Sequence, residues 1–290
     1  MKIALYGQAY SKEAEIAVLK VIKGLRAKGA KVVLEAEFCD LFKLKNLDFE
    51  LFSREQGLDS SIDLFVSFGG DGTVLRAITY VKDLGIPIVG VNTGRLGFLS
   101  TIGTEEVDSL IDNFFSGAYI LVDRCLVSVR IDNQQSSDFM NFALNEVTVS
   151  RKDTTSMITV ETYLDDEYLT SYWADGLIVA TPTGSTGYSL SCGGPVIAPT
   201  APSLVLTPIA PHNLNARPLV ISDNTVIKLK VSGREPQHLL SLDSRITSLT
   251  NGTEIFITKA GFSVKMVEFP SESFFKTIRH KLLWGEDRRN

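Results

Sequence analysis

Apolar and polar positions follow two different rhythms along this chain, and the change between them divides it. Up to about Leu121, short apolar runs alternate with stretches whose apolar residues recur at helical spacing. Residues 2–6 predict a strand. Ser11 then stands where a helix N-cap belongs, and a helix is predicted to about Lys28, with Gly29 placed to stop it. Ile16, Leu19, Val21, Ile22 and Leu25 are expected to form its buried stripe. Further strands are predicted at residues 31–36, 62–68 and 86–91, with helices at 73–84 and from Thr104 to about Ser116. Such alternation predicts an open parallel sheet, whose ligands sit at the carboxyl ends of its strands. The stretch from Phe38 to Ser61 carries no readable pattern.

Beyond Leu121 the period falls to two. Residues 126–131, 141–149, 157–163, 177–180, 203–208, 226–231, 238–242, 254–259 and 263–269 all read as strands, separated by turn clusters such as Asp165-Asp166 and Ser232-Gly233. An all-β second domain is expected there. Helical spacing returns at 271–284. The expected organisation is an α/β domain over residues 1–121, a β-rich domain over 122–269, and a final helix in 270–290 packing back on the first domain.

Two glycine-rich loops carry the chemistry. The first, Gly69-Gly70-Asp71-Gly72-Thr73, follows an apolar run and precedes a helical pattern that includes Arg76. The second, Thr181-Pro182-Thr183-Gly184-Ser185-Thr186-Gly187-Tyr188-Ser189, also follows a strand-like run and continues through Leu190 and Ser191. A strand turning on glycines into a helix presents backbone N–H groups at a positive dipole end, where phosphate oxygens bind. Asp71 suits a base that accepts a hydroxyl proton during phosphoryl transfer; its competing role is a helix N-cap. Asn145-Glu146 and Asp175 offer acceptors for a ribose or a base edge, or else close turns. Thr181, Thr183, Ser185, Thr186 and Ser189 add hydroxyls.

Composition narrows the classes. With 44% hydrophobic and 22% charged residues the chain reads as a folded soluble protein, and 29 basic against 34 acidic residues (net −5) leave no electrostatic footprint for nucleic acid. No apolar stretch approaches the length of a membrane span, and the first residues are too short an apolar run for a signal peptide. Cys39, Cys125 and Cys192 show no paired spacing, and His212, His238 and His280 are scattered, so no metal site is expected from either type. A cytoplasmic setting is the resulting expectation.

At Phe68-Gly69-Gly70-Asp71-Gly72-Thr73, Asn92-Thr93-Gly94-Arg95-Leu96-Gly97-Phe98-Leu99, Leu144-Asn145-Glu146-Val147 and residues 174–196, the chain resembles the NAD kinases in order and spacing. The resemblance implies a Rossmann-like N-terminal domain, a β-sandwich-like C-terminal domain, and NAD bound between them. It implies ATP as donor, Mg²⁺ carried on the ATP phosphates, and a homodimer or homotetramer in which a neighbouring subunit can complete the nucleotide site. Asp71 would be the general base on the adenosine ribose 2′-hydroxyl. Gly69, Gly70, Gly72, Thr73 and Arg76 would lie near phosphate. Asp71, Gly72, Asn145, Glu146, Asp175 and the loop Thr186, Gly187, Tyr188, Ser189, Leu190 and Ser191 would hold NAD. Trp173 and Ser156 stand where relatives carry basic residues, and Gly187 and Cys192 replace alanines. Ser244-Arg245 replaces a Gly-Gln pair, so Arg245 is expected to substitute for the missing cation in a ligand contact. A lipid or sugar kinase sharing only the first loop, and a non-catalytic NAD(P) sensor, are the alternatives.

Overall fold

The computed structural model describes residues 1–44, 49–132, 140–153, 156–270 and 272–285. Its chain forms two units, Met1–Asp123 with Val264–Asn290, and Arg124–Ser263.

In the first unit β1 (Lys2–Gly7), α1 (Lys12–Ala27), β2 (Lys31–Glu35), α2 (Ala36–Leu41), β3 (Glu50–Phe52), β4 (Leu64–Phe68), α3 (Asp71–Val81), β5 (Ile88–Asn92), β6 (Ile102–Gly103) and α4 (Val107–Ser116) follow in order. The strands pair in parallel in the spatial order β3-β2-β1-β4-β5. β4 is buried throughout, as its uninterrupted apolar run requires of a strand covered on both faces. Because the chain steps to opposite sides of the sheet after β1 and after β4, their carboxyl ends flank the switch point where such sheets bind ligands. Gly7 of β1 and Phe68 of β4 are register partners there. A Cβ on Gly7 would lie 2.9 Å from the Phe68 carbonyl, so glycine permits the close approach.

Ser11 caps α1 by accepting from the Ala14 N–H, and Gly29 beyond it takes φ +78°. The buried stripe of α1 is Ala14, Ala17, Val18, Val21, Ile22 and Leu25, whereas Ile16 and Leu19 are exposed, contrary to the periodic reading. Small residues explain the rotation: a Cβ on Gly24 would meet Ile111 of α4 at 2.5 Å, so α1 turns its small face toward α4. Helix α2 starts at Ala36, where the predicted strand was to end, and runs into the unpatterned stretch; the buried Glu35 carboxylate starts it by accepting from the Phe38 N–H at 2.8 Å. Helix α3 begins at Asp71, two residues before its predicted start. The Thr104 start is a 3-10 turn over Thr104–Glu106, closed by Glu106 accepting from the Gly103 N–H.

Among its described residues the second unit is β-rich, with a 3-10 turn at Gly184–Thr186 and one short helix. β7 (Ile120–Ile131) enters it; β8 (Phe142–Ala143), β9 (Glu146–Arg151), β10 (Ile158–Leu164), β11 (Glu167–Ala174), β12 (Gly176–Ala180), α5 (Tyr188–Ser191), β13 (Ser203–Ile209), β14 (Leu219–Ser222), β15 (Ile227–Gly233), β16 (Gln237–Leu242) and β17 (Arg245–Thr250) follow, and β18 (Glu254–Glu268) leaves it. One antiparallel sheet runs β14-β13-β12-β9-β16-β17, and antiparallel pairs join β11, β10, β15 and β18 in another. Val147, Val149, Leu177, Leu206, Leu240 and Leu242 of the first sheet share a core with Val160, Leu229, Val231 and Ile257 of the second.

The pattern missed β11, β14 and β17. β11 follows a two-residue turn, Asp165 at φ +49° and Asp166 at φ +66°, whose hand matches the twist of a hairpin. The two strands predicted at 254–259 and 263–269 are one, because Gly261 stays extended while β15 holds one end and Ile88 of β5 the other. The strand predicted over 141–149 breaks at Leu144-Asn145. The final helix, α6 (Phe274–Leu282), belongs to the first unit, where the Lys281 ammonium donates to the Leu96 carbonyl at 2.5 Å and lies over the Phe98 ring.

Candidate functional site

The first loop leaves β4 on Gly69, whose φ of +148° suits glycine, and a Cβ there would strike Thr73 Oγ1 at 2.2 Å. Gly70 is the N-cap of α3 and receives no side-chain cap, while Gly70 and Gly72 face open space. The loop therefore offers a helix N-terminus, uncapped by any side chain, to an anion. Arg76, one turn on, is exposed. With the Gln8 amide turned so that its oxygen meets donors, it accepts from the Tyr6 hydroxyl at 3.0 Å and from Arg76 Nε and Nη1 at 3.2 and 3.1 Å. Gln8 carried no sequence signal.

Asp71 is neither N-cap nor free. As the first helical residue it turns its carboxylate onto the segment after β5, accepting from the N–H groups of Phe98 (2.8 Å), Leu99 (2.9 Å) and Ser100 (3.0 Å). Oδ1 takes two of these and Oδ2 one. A carboxylate offers about four lone-pair sites, so one acceptor position on Oδ2 stays available. Gly97 is glycine for this reason, since a Cβ would sit 1.8 Å from Asp71 Oδ1. Ser100 closes the latch by donating to the Gly69 carbonyl at 2.7 Å.

In the second unit the turn between β8 and β9 carries Asn145 and Glu146. Among the described residues, Asn145 Oδ1, Glu146 Oε2 and Thr183 Oγ1 are buried polar atoms without a protein partner. Each such atom costs about 1–3 kcal/mol unless water or a ligand meets it. Gly187 brings two of these residues together: its Cβ position lies 3.2 Å from Glu146 Oε2 and 3.4 Å from Asn145 Nδ2. Burial, and then the nearby Asp243 charge, push the Glu146 carboxyl up to about 8, against one restraining N–H from Tyr188. Burial chiefly, then Cys192, Asp175 and Glu146, raise the half-exposed Tyr188 phenol, so these groups share one neighbourhood. Asp175 itself pairs with Arg151 Nη2 at 3.0 Å.

The rest of the second loop is built differently from the first. Gly184 is glycine because a Cβ would fall 2.0 Å from the Asn145 carbonyl, not because a phosphate approaches. Thr181 donates to the Leu144 carbonyl, Ser185 to that of Pro182, and Thr186 to that of Thr183. The Ser189 hydroxyl is fully buried against Thr207 at 2.8 Å. The Thr181 and Ser189 bonds tie the loop to its neighbours and the Ser185 and Thr186 bonds close turns within it, while Tyr188 and Ser191 are exposed and Leu190 half-buried. The helix α5 spans four residues, too short to aim a substantial dipole.

Arg245 also departs from expectation. Its guanidinium donates to the carbonyls of Met140 (3.1 Å), Phe142 and Leu242 (3.3 Å) and covers the Phe142 ring. Those carbonyls take three of its five N–H donors, so it braces the strand end. Trp173 is exposed and its ring meets that of His212 at a tilt, with centroids 5.3 Å apart. Sequence reasoning passed over Asp243 as a binding-site component, because it reads as an ordinary turn residue before β17.

Two family descriptions match the chain, the ATP-NAD kinase N-terminal domain over residues 5–119 and its C-terminal domain over residues 144–269. NAD kinases of Christiangramia forsetii and Flavobacterium johnsoniae are 55% and 51% identical, with all of both chains covered. Among solved structures, an NAD kinase from Archaeoglobus fulgidus in complex with ATP is 29% identical with a TM-score of 0.74, covering 98% of this chain and 99% of that one. Yeast NADH kinase complexed with NADH shares the fold at a TM-score of 0.87 and 23% identity, covering 99% of this chain and 89% of that one. With a glycine loop at the switch point of one unit, orphaned acceptors at the turn of the other, and full-length relatives above half identity, this chain belongs to the ATP-NAD kinase family.

Proposed function

We propose that this chain transfers the γ-phosphoryl group of ATP to the adenosine ribose 2′-hydroxyl of NAD, giving NADP and ADP. NAD phosphorylation is the activity of its family, and the observation that carries the site assignment is the Asp71 carboxylate, latched yet with one acceptor position left. In this reading the 2′-hydroxyl donates to Asp71 Oδ2. As its oxygen bonds to the γ-phosphorus and the bond to ADP breaks, its proton passes to Asp71. Phosphoryl transfer depends mainly on position and charge stabilisation, so a carboxylate fixed by three N–H groups suits orientation at least as much as proton removal.

The glycine loop, through Gly69, Gly70, Gly72 and Thr73, would meet phosphate oxygens with backbone N–H groups, and Arg76 would add a cation. Asn145, Glu146 and Asp175 would take ribose hydroxyls or the base, with Gly187 and Tyr188 beside them. The described residues hold no cluster of three His, Cys, Asp or Glu able to cage a metal. Mg²⁺ keeps several waters and is held by substrate phosphates with one or two carboxylates, so it would need no such cage. Asp71 is the carboxylate at the phosphate end of this unit, and the ion when bound would offset phosphate charge. A homodimer or homotetramer is proposed as well, supported by the exposure of Tyr168 and Trp173 on β11 and of Leu214. A cytoplasmic setting is proposed too, consistent with cysteines that form no disulfide.

The test is NADP formation by purified protein with NAD, ATP and Mg²⁺, beside Asp71→Asn. Product from wild type and almost none from a folded variant is expected. Equal product from both would remove Asp71 from the chemistry.

A further inference from the structure

We propose that Asp243 is a positioning residue for NAD recognition: its carboxylate fixes the Asn145-Glu146 segment in the shape that meets the nucleotide. The proposal rests on the reading that this turn holds the nucleotide.

Asp243 lies in the two-residue turn between β16 and β17, where Leu242 and Arg245 are register partners. Its φ of +51° is a conformation that Asp and Asn tolerate better than most residues. From there its carboxylate accepts from three consecutive N–H groups where the chain passes from β8 into β9, those of Leu144 (3.0 Å), Asn145 (2.8 Å) and Glu146 (3.3 Å). The Asp243 N–H in turn donates to the Glu146 carbonyl at 3.0 Å. The carboxylate is 6% exposed, with Arg245 Nη2 3.7 Å from it. The turn whose side chains present the orphaned Asn145 Oδ1 and Glu146 Oε2 is thus shaped by a residue almost a hundred positions away.

The same carboxylate acts on Glu146 through charge. The groups around Glu146 are Asp243 and Arg245 from the β16–β17 turn and Tyr188 from α5, with Asp175 and Cys192 beyond Tyr188. Burial raises both carboxyls. Asp243 is held back by three N–H bonds and Arg245, Glu146 by the Tyr188 N–H alone, so the proton of the pair resides on Glu146. A ribose hydroxyl donates better to an ionised carboxylate. Nucleotide binding therefore expels the Glu146 proton, and affinity tightens with pH up to about 8, where the free carboxyl titrates.

The experiment titrates wild type, Asp243→Asn, Glu146→Gln and the double variant with NAD by calorimetry from about pH 6.5 to 9. KM for NAD and ATP is measured alongside. Asn keeps the φ and one acceptor but removes the charge and turns an amide toward the Leu144 N–H. Asp243→Asn is expected to weaken NAD about 10- to 100-fold, leave KM for ATP unchanged and flatten the pH profile. The double variant is expected to lack any further pH effect over Glu146→Gln. If Glu146→Gln weakens NAD while Asp243→Asn keeps wild-type affinity and pH profile, the positioning role is overturned with the binding turn intact. If both variants bind as wild type and still make NADP, the turn is not the nucleotide site and the proposal falls with it. Should Asp243→Asn not fold, Asp243→Glu, which keeps the charge but shifts the carboxylate by one methylene, decides: weaker NAD with KM for ATP unchanged supports the proposal, and wild-type NAD affinity overturns it.

Discussion

Each unit contains one aspartate that grips three consecutive backbone N–H groups of a distant segment, Asp71 on residues 98–100 and Asp243 on residues 144–146. The bonding is nearly the same; the surroundings are not. Asp71 sits half-exposed between Gly70 and Gly72, whose added Cβ would meet open space, and it keeps an acceptor position free. Asp243 is sealed at 6% exposure under Arg245. The difference teaches that a backbone latch becomes chemically useful only where glycines let a substrate reach it. A buried latch can act only through what it shapes.

The largest effect expected from breaking this comparison is on Asp71. Asp71→Asn should cost about 10²–10⁴-fold in kcat with folding retained, read from NADP formation and a melting curve. A variant that melts normally and turns over normally would reduce Asp71 to the structural role of Asp243. Gly97→Ala tests the latch without touching the carboxylate. A methyl 1.8 Å from Asp71 Oδ1 must push it away, and about 10²-fold lower kcat is expected from the misplacement. Unchanged steady-state kinetics would mean that the latched carboxylate position is irrelevant to turnover.

Arg245→Ala sharpens the other side. Loss of a charged donor shared by three carbonyls should cost about 1.5–3 kcal/mol, roughly 3–12 °C in melting temperature, with KM for ATP unchanged. A variant that loses NAD affinity but keeps its melting temperature would restore Arg245 as a ligand contact.

The smallest expected effect concerns stability against pH. Glu146 titrates near 8 in the folded chain against an ordinary value of 4.5, so between these values the folded state holds a proton that the unfolded state has lost. Its contribution is present below about pH 4.5, falls as pH rises toward about 8, and is flat beyond. Glu146→Gln should therefore gain stability relative to wild type as pH rises, seen as a smaller drop in melting temperature between about pH 6 and pH 9. Equal slopes for the two proteins would show that this carboxyl does not hold its proton when folded.

Much of the candidate site is marked in the sequence. Local chemistry marks Gly69 to Thr73: a buried apolar strand must end, glycines must make its turn, and a helical pattern must begin. Asn145-Glu146 and the loop from Thr181 were visible as polar interruptions of apolar runs. What the pattern misjudged was the use of each polar group. Ser189 and Arg245 look available in one dimension, yet Thr207 and the carbonyls at Met140, Phe142 and Leu242 occupy them. The α1 stripe failed because alanines were not counted as a packing surface, although Ala14 and Ala17 lie against the core and Ile16 does not.

The sequence by itself determined the alternation of elements, the two glycine loops and the family, because these depend on neighbours within a few residues or on motif order. Only the tertiary structure decided that residues 98–100 close on Asp71 and that Asp243 reaches residues 144–146, separations of 27 to 99 positions. Such pairings arise when strand register brings backbone N–H groups to an acceptor, and no local propensity encodes which strand ends will meet. Side-chain identity sets what a residue can donate or accept; the fold sets which of those bonds are already made.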